Sequence, residues 1–327
     1  MVKVRNIELG EFPILLAPME EITGGAFRKI CKEFGADVVY TEFVAADGLI
    51  RDVQKSTQKI DFQENERPIG IQIFGNDEFS MRRAAEVAAE QNPDIIDINW
   101  GCPVKKIVKK CSGSGMLQYP EKLVKITESV VKSVNIPVTV KTRLGWDENS
   151  KPIVTLSEQL QDIGIEAITI HGRTRAQLYS GVANWTLIGK VKENPRMKIP
   201  VFGNGDVNSP EKALEMKQKY GVDGIMIGRA SIGNPFIFRE IRHYLTTAQC
   251  LPPPTIKERI EICKRHLLNE ILHKNERAAL LEMRRQYSGY LKGIPNIKPF
   301  RIQLMEAGDI DSVVKVLDFL YTNTNNN

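Results

Sequence analysis

Short apolar runs alternate with amphipathic stretches from residue 14 to about residue 230. Eight of these runs read as strands: 14–17, 38–41, 70–74, 95–99, 138–141, 167–171, 200–203 and 224–228. Amphipathic segments such as 81–91 and 121–134 lie between them and read as helices. Near-continuous apolar strands joined by helical crossovers are what a parallel sheet covered on one side by helices requires. Eight of them predict a (β/α)₈ TIM barrel. A doubly wound open sheet is the alternative, but it calls for a glycine-rich first turn that is missing here. The pattern changes after residue 245. Leu251-Pro252-Pro253-Pro254 reads as a stiff linker, Thr255 as a helix cap, and 256–283 as helical. A further helix is expected over 311–321, and the polar tail 322–327 reads as disordered. The expected organisation is a barrel over 1–245 and a small all-α domain over 246–327.

Each expected strand ends in polar or conformationally special residues. They are Ala17-Pro18-Met19-Glu20, Thr41-Glu42, Phe74-Gly75-Asn76, Asn99-Trp100-Gly101-Cys102-Pro103, Lys141-Thr142-Arg143, His171-Gly172-Arg173-Thr174, Asn204-Gly205-Asp206 and Gly228-Arg229. In a barrel these ends converge on one face, where such enzymes carry out their chemistry. A purely structural barrel has no need of so many cations, amides and a cysteine at its strand ends.

Composition narrows the class. The chain has 327 residues, 42% hydrophobic and 26% charged, as expected of an ordinary globular protein. No apolar run is long enough to span a bilayer. The charged start, residues 1–10, has no signal-peptide pattern, so a cytoplasmic location is expected. Five cysteines, an odd number with no C-x-x-C pair, point away from a disulfide framework or a zinc site. The net charge of +5 is mild, but residues 253–301 hold eleven Lys or Arg against five Glu, a net of +6. Positive charge is thus concentrated in the helical segment, which suits a polyanionic partner.

Individual candidates carry competing readings. Asn204-Gly205-Asp206 and Gly228-Arg229 end the last two strands, where glycine lets backbone N–H groups face a phosphate. The same glycines also suit tight turns; Arg229 directly after Gly228 favours phosphate. There is no G-x-G-x-x-G or Walker pattern, and Gly113-Ser114-Gly115 matches only part of one, so a resident nicotinamide domain is not expected. Lys141 is either a solvated rim lysine or a cation facing an anionic reduced flavin. Gln72, in an apolar strand, needs polar partners that a flavin edge can offer. His171 is either structural or, with Arg173 and Thr174, a contact to an anion or ring. Cys102, in a turn at the active face, is either a buried inert thiol or a reactive one. Lys105, Lys106, Lys109 and Lys110 follow it, as a solvated charge run, as clamps for a nucleic-acid backbone, or as groups that lower the thiol pKa.

Asn99-Trp100-Gly101-Cys102-Pro103, with Lys105 or Lys106 and Ser112-Gly113-Ser114-Gly115 following, resembles the N-x-G-C-P signature of tRNA-dihydrouridine synthases. Ala17-Pro18-Met19, Lys141-Thr142-Arg143, His171-Gly172-Arg173-Thr174, Asn204-Gly205-Asp206 and Gly228-Arg229 extend the match over about residues 1–300, closest in look to the bacterial B-type branch. The resemblance implies FMN across the barrel mouth. Ala17, Pro18 and Met19 would line it, Gln72, Lys141 and His171 would hold its ring, and Asn204, Gly205, Asp206, Gly228 and Arg229 its phosphate. It implies NADPH as transient reductant, hydride transfer from flavin N5 to C6 of a D-loop uridine, and Cys102 protonating C5. Asn99, Arg143 and Arg173 would face the target base or flavin. Lys105, Lys106, Arg284 and Arg285 would hold tRNA, and a monomer with no obligate protein partner is implied. No metal is expected. An acid acting on carbon must be protonated, so the lysines after Cys102 fit backbone clamping better than thiol activation. Three positions depart from the family pattern: Gly115-Met116 replaces a glycine-alanine step, Cys111 adds a second thiol to the loop, and Arg284-Arg285-Gln286-Tyr287 has Gln286 where a histidine is often seen. A dihydroorotate dehydrogenase-like barrel would explain the phosphate and lysine positions but not the basic helices. A non-catalytic RNA-binding barrel would explain the helices but not Cys102.

Overall fold

A computed structural model describes residues 1–51 and 53–323. The chain begins with an antiparallel hairpin of β1 (Val2–Val4) and β2 (Ile7–Gly10). Then follow β3 (Ile14–Leu16), α1 (Gly25–Glu33), β4 (Val39–Tyr40), β5 (Val44–Ala45), α2 (Ala46–Ile50), α3 (Gln54–Lys59), β6 (Ile69–Phe74), α4 (Glu78–Glu90) and β7 (Ile95–Trp100). The barrel continues with α5 (Lys105–Val108), α6 (Pro120–Ser133), β8 (Val138–Arg143), α7 (Ile153–Asp162), β9 (Ala167–His171), α8 (Thr186–Glu193), β10 (Val201–Asn204), α9 (Pro210–Tyr220), β11 (Gly224–Ile227) and α10 (Phe236–Thr247). Four helices end the chain: α11 (Ile256–His273), α12 (Glu276–Tyr290), α13 (Lys298–Glu306) and α14 (Ile310–Asn323).

The strands run in the parallel order β3-β11-β10-β9-β8-β7-β6-β4, with β5 added further along β6. A bridge between Leu15 and Val38 brings the two ends of this path together, and the Leu16 N–H donates to the Val38 carbonyl at 2.9 Å. The eight-stranded barrel expected from the apolar pattern is therefore present. The strand expected over 38–41 is shorter than expected: Thr41 makes one last bond to β6, its N–H on the Gly70 carbonyl at 2.9 Å, and the chain rejoins β6 only at Val44.

Period-two alternation sorts each strand into an outer and an inner face. Ile96, Ile98 and Trp100 of β7 join the core under the surrounding helices, as do Val138, Val140, Ile168 and Ile170. The inner positions change character along the barrel axis. Ile95, Ala167, Phe202 and Met226 form an apolar floor, sealed from below by Val4 and Leu9 of the hairpin. Two residues further along the strands the inner positions turn polar: Asp97, Thr139 and Thr169, all buried. Next come Asn99, Lys141 and His171. Polarity thus rises toward the face where the strands end.

The hairpin was not anticipated; the charged start reads as Val-Lys-Val and Ile-Glu-Leu around a turn with Arg5 at φ 52°. The segment 256–283, expected as one helical stretch, is two helices. Asn275 breaks it in an extended conformation, and its side chain accepts from the Ala278 N–H to start α12. Thr255 caps α11 as expected and forms a capping box with Glu258. Helix α10 runs through Thr247, so the linker begins at Ala248. The last helix reaches Asn323, taking in two residues of the tail expected to be disordered, while 324–327 lie outside the described residues. Helices α11–α14 build a core of their own around Cys263, Met283, Tyr287, Tyr290 and Leu317.

Candidate active site

Cys102 lies just beyond β7, and its backbone is held from three sides. The Asn99 Oδ1 accepts the N–H groups of Gly101 at 2.9 Å and Cys102 at 2.8 Å. Arg143, at the end of neighbouring β8, donates from Nε to the Gly101 carbonyl at 2.7 Å. Ser114 donates its N–H and its hydroxyl to the Cys102 carbonyl at 3.1 and 2.9 Å. Gly113 makes that approach possible, because a Cβ there would stand 2.9 Å from the same carbonyl oxygen. The thiol is 7% exposed. Burial pushes its pKa up, while the Val104 N–H, Arg143 and Lys141 pull it partly back. The group is therefore a neutral thiol near pH 7. The cations that act on it are Arg143 and Lys141, not the lysine run after it.

Lys141 and His171 stand on adjacent strands, Lys141 in register with Asn99 and Thr169, and His171 two residues further along, in register with Arg143. Burial lowers the Lys141 pKa to about 8, with Arg143 adding to the effect and Asp97 opposing it. The nearest acceptor to its Nζ is Asn204 Oδ1, at 3.5 Å. A half-buried ammonium with so little contact is set up to meet an anion. His171 is held neutral by burial and by four surrounding cations. Arg173 Nη1 lies 3.4 Å from its Nε2; an arginine only donates, so Nε2 accepts and Nδ1 carries the proton.

At the ends of β10 and β11 the chain turns sharply, with Gly205 at φ 119° and Asp206 at φ 57°. The backbone N–H groups of Gly205, Asp206 and Gly228 reach no acceptor among the described residues. Arg229 opens a 3₁₀ turn beside them, half exposed. Free N–H groups next to a guanidinium are the donor set a phosphate needs. The Asp206 carboxylate does not face such an anion. It is gripped by both oxygens by Arg173 Nη2 at 3.0 and 2.7 Å, and it accepts from Arg229 at 2.9 Å.

Several expected contacts to base or flavin are committed inside the protein. Arg173 is 1% exposed; its remaining donors go to the Ser180 and Gly181 carbonyls at 3.1 and 2.6 Å. Arg143 is spent on Gly101, Thr174 and Leu178 carbonyls. Asn99 and Gln72 bond to each other at 2.9 Å, and Gln72 reaches Asp97 at 2.6 Å. These four therefore shape the site from behind. Ala17 is tied to β11 by its N–H on the Ile227 carbonyl at 2.8 Å, which places Pro18 and Met19 at the mouth.

Lys105 and Lys106 are exposed on α5, and Lys106 lines a cleft of about 920 Å³ with Glu20, Phe43, Phe74, Val104 and Lys110. Arg285 is exposed and pairs with Glu21 of the barrel, whereas Arg284 is half-buried against the Ala307 carbonyl. Two residues outside the expected set, and one strand-end residue given no role from the sequence, belong to the site as well. Asp97 is the carboxylate beneath the site. Tyr179 is exposed, with its ring 5.6 Å from the Arg143 guanidinium and 5.3 Å from that of Arg229. Glu42 has a buried Oε1 without a partner among the described residues. A carboxylate inside the apolar run 95–98 was the visible signal for the first.

A parallel barrel with a buried thiol, a half-buried lysine and an anion cradle at its strand ends defines a barrel enzyme with its site at the usual face. Residues 15–325 match the dihydrouridine synthase (Dus) family. The chain is 38% identical over 299 residues to tRNA-dihydrouridine synthase B of Pseudomonas aeruginosa, covering 91% of this chain and 90% of that one. It is 38% identical over 323 residues to a probable tRNA-dihydrouridine synthase of Rickettsia conorii, covering 98% and 97%. The chain belongs to the dihydrouridine synthase family. It is thus an enzyme of a flavin-dependent, tRNA-modifying family, as the N-x-G-C-P resemblance implied. Histamine dehydrogenase from Rhizobium sp. 4-9 shares the fold at 13% identity and TM-score 0.55, over 82% of this chain and 50% of that one. No helix among the described residues is long and apolar enough to cross a membrane.

Proposed function

We propose that this protein reduces the C5–C6 double bond of a D-loop uridine in tRNA, with FMN as bound cofactor and NADPH as its reductant. The observation that carries the reading is the buried Cys102, its backbone held by three sets of bonds at the mouth of a barrel whose other strand ends offer an anion cradle. FMN, when bound, would supply a hydride for uracil C6. Cys102 gives the proton to C5 from the thiol, leaving a thiolate that Arg143 and Lys141 stabilise until it is reprotonated. Gly205, Asp206, Gly228 and Arg229 hold the flavin phosphate, the first three by backbone N–H. Ala17, Pro18 and Met19 would line the flavin and Lys141 and His171 would face its ring, while Gln72, bonded to Asp97 and Asn99, would support that face from behind. Lys141 would offer positive charge, and His171 a proton donor at Nδ1, toward that ring.

The uracil must leave its stack to lie against the ring, so the mouth has to be open and its acid fixed at one distance. Barrel residues 1–245 carry this chemistry, and residues 246–327 hold the tRNA with Arg285. Lys105 and Lys106 clamp the backbone beside Cys102. The protein works in the cytoplasm as a monomer. Cys102→Ala tests the assignment: flavin content and tRNA affinity stay as in the wild type, and dihydrouridine formation falls by at least about 100-fold. Turnover close to the wild-type rate would show that another group is the acid.

A further inference from the structure

We propose that Asp97 is a positioning residue that sets the direction of two buried side-chain amides in series, and through them the backbone that carries Cys102. The inference rests on the reading of Cys102 only for its catalytic consequence; the device is visible without it.

Asp97 sits in β7 among buried groups of the barrel interior. Its Oδ1 accepts from Thr139 Oγ1 at 2.5 Å, and its Oδ2 accepts from Gln72 Nε2 at 2.6 Å. An ionised carboxylate has only acceptors to offer. Gln72 must therefore turn its NH₂ toward Asp97 and its Oε1 away. That Oε1 accepts from Asn99 Nδ2 at 2.9 Å, so Asn99 in turn points Oδ1 outward, onto the N–H groups of Gly101 and Cys102. Reversing either amide would set NH₂ against N–H donors at one end or oxygen against carboxylate at the other. All three side chains are buried, so water cannot repair a reversed bond and the cost is that of an unsatisfied buried polar group. The acceptor character of one carboxylate is thus passed through two amides to the turn that holds the thiol.

The order of donors and acceptors yields a test that a merely structural carboxylate would not pass. In Asp97→Leu, close to aspartate in shape, neither Thr139 nor Gln72 finds an acceptor at 97, and nothing fixes the direction of the Gln72 amide. In Asp97→Asn/Gln72→Glu the carboxylate moves one place along the chain of bonds. The carboxylate introduced at position 72 then accepts from the amide at 97 and from Asn99, the amide oxygen at 97 accepts from Thr139, and Asn99 keeps its direction. Amide hydrogen exchange of the 98–104 segment, measured on the full-length protein without tRNA, reports the two N–H bonds to Asn99 directly.

The single substitution should accelerate exchange there by about fivefold or more, and the double should return it to within about twofold of the wild type. Turnover of Asp97→Leu should fall in kcat with little change in KM for tRNA. Unchanged exchange in Asp97→Leu, or fast exchange in a folded double variant, would overturn the proposal. If Asp97→Leu does not fold, the double variant decides: slow exchange supports the device, and a second failure to fold overturns it. A normal exchange result together with a fully active Cys102→Ala would instead count against the acid assignment alone.

Discussion

Gly289 of α12 rests directly on Ile232, which follows the last barrel strand: a Cβ on Gly289 would stand 1.9 Å from the Ile232 carbonyl oxygen. Gly233 is as closely placed, with a Cβ site 2.1 Å from the Gln286 carbonyl. Gln286 itself spans the junction. Its Oε1 accepts from the Gly233 N–H at 2.7 Å, and its Nε2 donates to the Ile22 carbonyl at 3.2 Å. The helix that carries Arg284 and Arg285 is therefore pressed backbone to backbone against the loop that follows β11 and tied by Gln286 to the loop that follows β3, the same two loops that carry Arg229 and Met19.

Gly289→Ala should force this contact apart. Overpacking against backbone cannot relax by a rotamer change, and a loss of about 2–4 kcal/mol in urea unfolding is expected. All three tryptophans, Trp100, Trp146 and Trp185, belong to the barrel. Tryptophan fluorescence and far-ultraviolet dichroism should thus give separate midpoints if the helices undock first. A coincident transition at the wild-type midpoint would mean that the junction has slack.

Arg173 and Asp206 form the second fixed point. The carboxylate holds a left-handed backbone at φ 57° and is gripped by a buried guanidinium. Arg173→Lys keeps the charge but loses the forked geometry and the bonds to the Ser180 and Gly181 carbonyls. A destabilisation of about 2–4 kcal/mol is expected from breaking one side of such a pair. Flavin should dissociate faster, because Arg229 and the N–H groups at 205 and 206 lose their brace. Thermal unfolding and the rate of flavin release on dilution measure the two effects; wild-type values for both would count against a bracing role.

The eight barrel strands were legible because each is an apolar run, and the polar strand ends were legible because barrel topology sends them to one face. What could not be read was how those polar groups divide among themselves. Arg173 meets Asp206, and Asn99 meets Gln72, across strands whose relative height depends on the barrel stagger. A polar side chain at a strand end, free in the sequence to touch a ligand, is then found spent on a neighbour. The helical break at Asn275 was hidden for a different reason. Ile260, Leu267, Leu280 and Met283 face one common core, so the apolar period runs on across the break, and only the capping chemistry of Asn275 marks it. The β1–β2 hairpin did show its alternation, but over too few residues to stand out from a charged terminus.

Lys141 should make stability depend on pH in a definite sense. Its pKa in the folded protein is depressed to about 8 from 10.5. The folded state thus favours the neutral amine, an advantage present above the unfolded value and lost as the pH falls through about 8. Asp97 runs the other way: its pKa is raised to about 6, mainly by burial, so the stability from its protonated form is lost as the pH rises through that value. Both groups are charged, and cost stability, near pH 7. Lys141→Met should therefore stabilise the flavin-free protein at pH 7, by the order of 1–2 kcal/mol, and markedly less at pH 10. An equal effect at both pH values would show that the buried charge carries no cost.

Arg284 and Arg285 are adjacent in sequence but differ in setting, which separates their expected effects on RNA binding. Arg285 is exposed and held by Glu21, so a phosphate must compete with that carboxylate. Glu21→Gln should tighten tRNA binding, most clearly at low salt. Arg285→Ala should weaken it and lower the slope of log affinity against log salt by about 0.7–0.9, the value for one lost phosphate contact. Arg284 is half-buried, its Nε has no partner among the described residues, and its Nη2 lies 3.4 Å from the Ala307 carbonyl at the end of α13. Arg284→Ala should act through the packing of α12 on α13, lowering stability while leaving the salt slope nearly unchanged. Filter binding across a salt series, with unfolding curves for the same variants, measures both quantities. A salt slope that falls for Arg284→Ala and stays constant for Arg285→Ala would reverse the assignment and place the RNA on the α13 side of the helix.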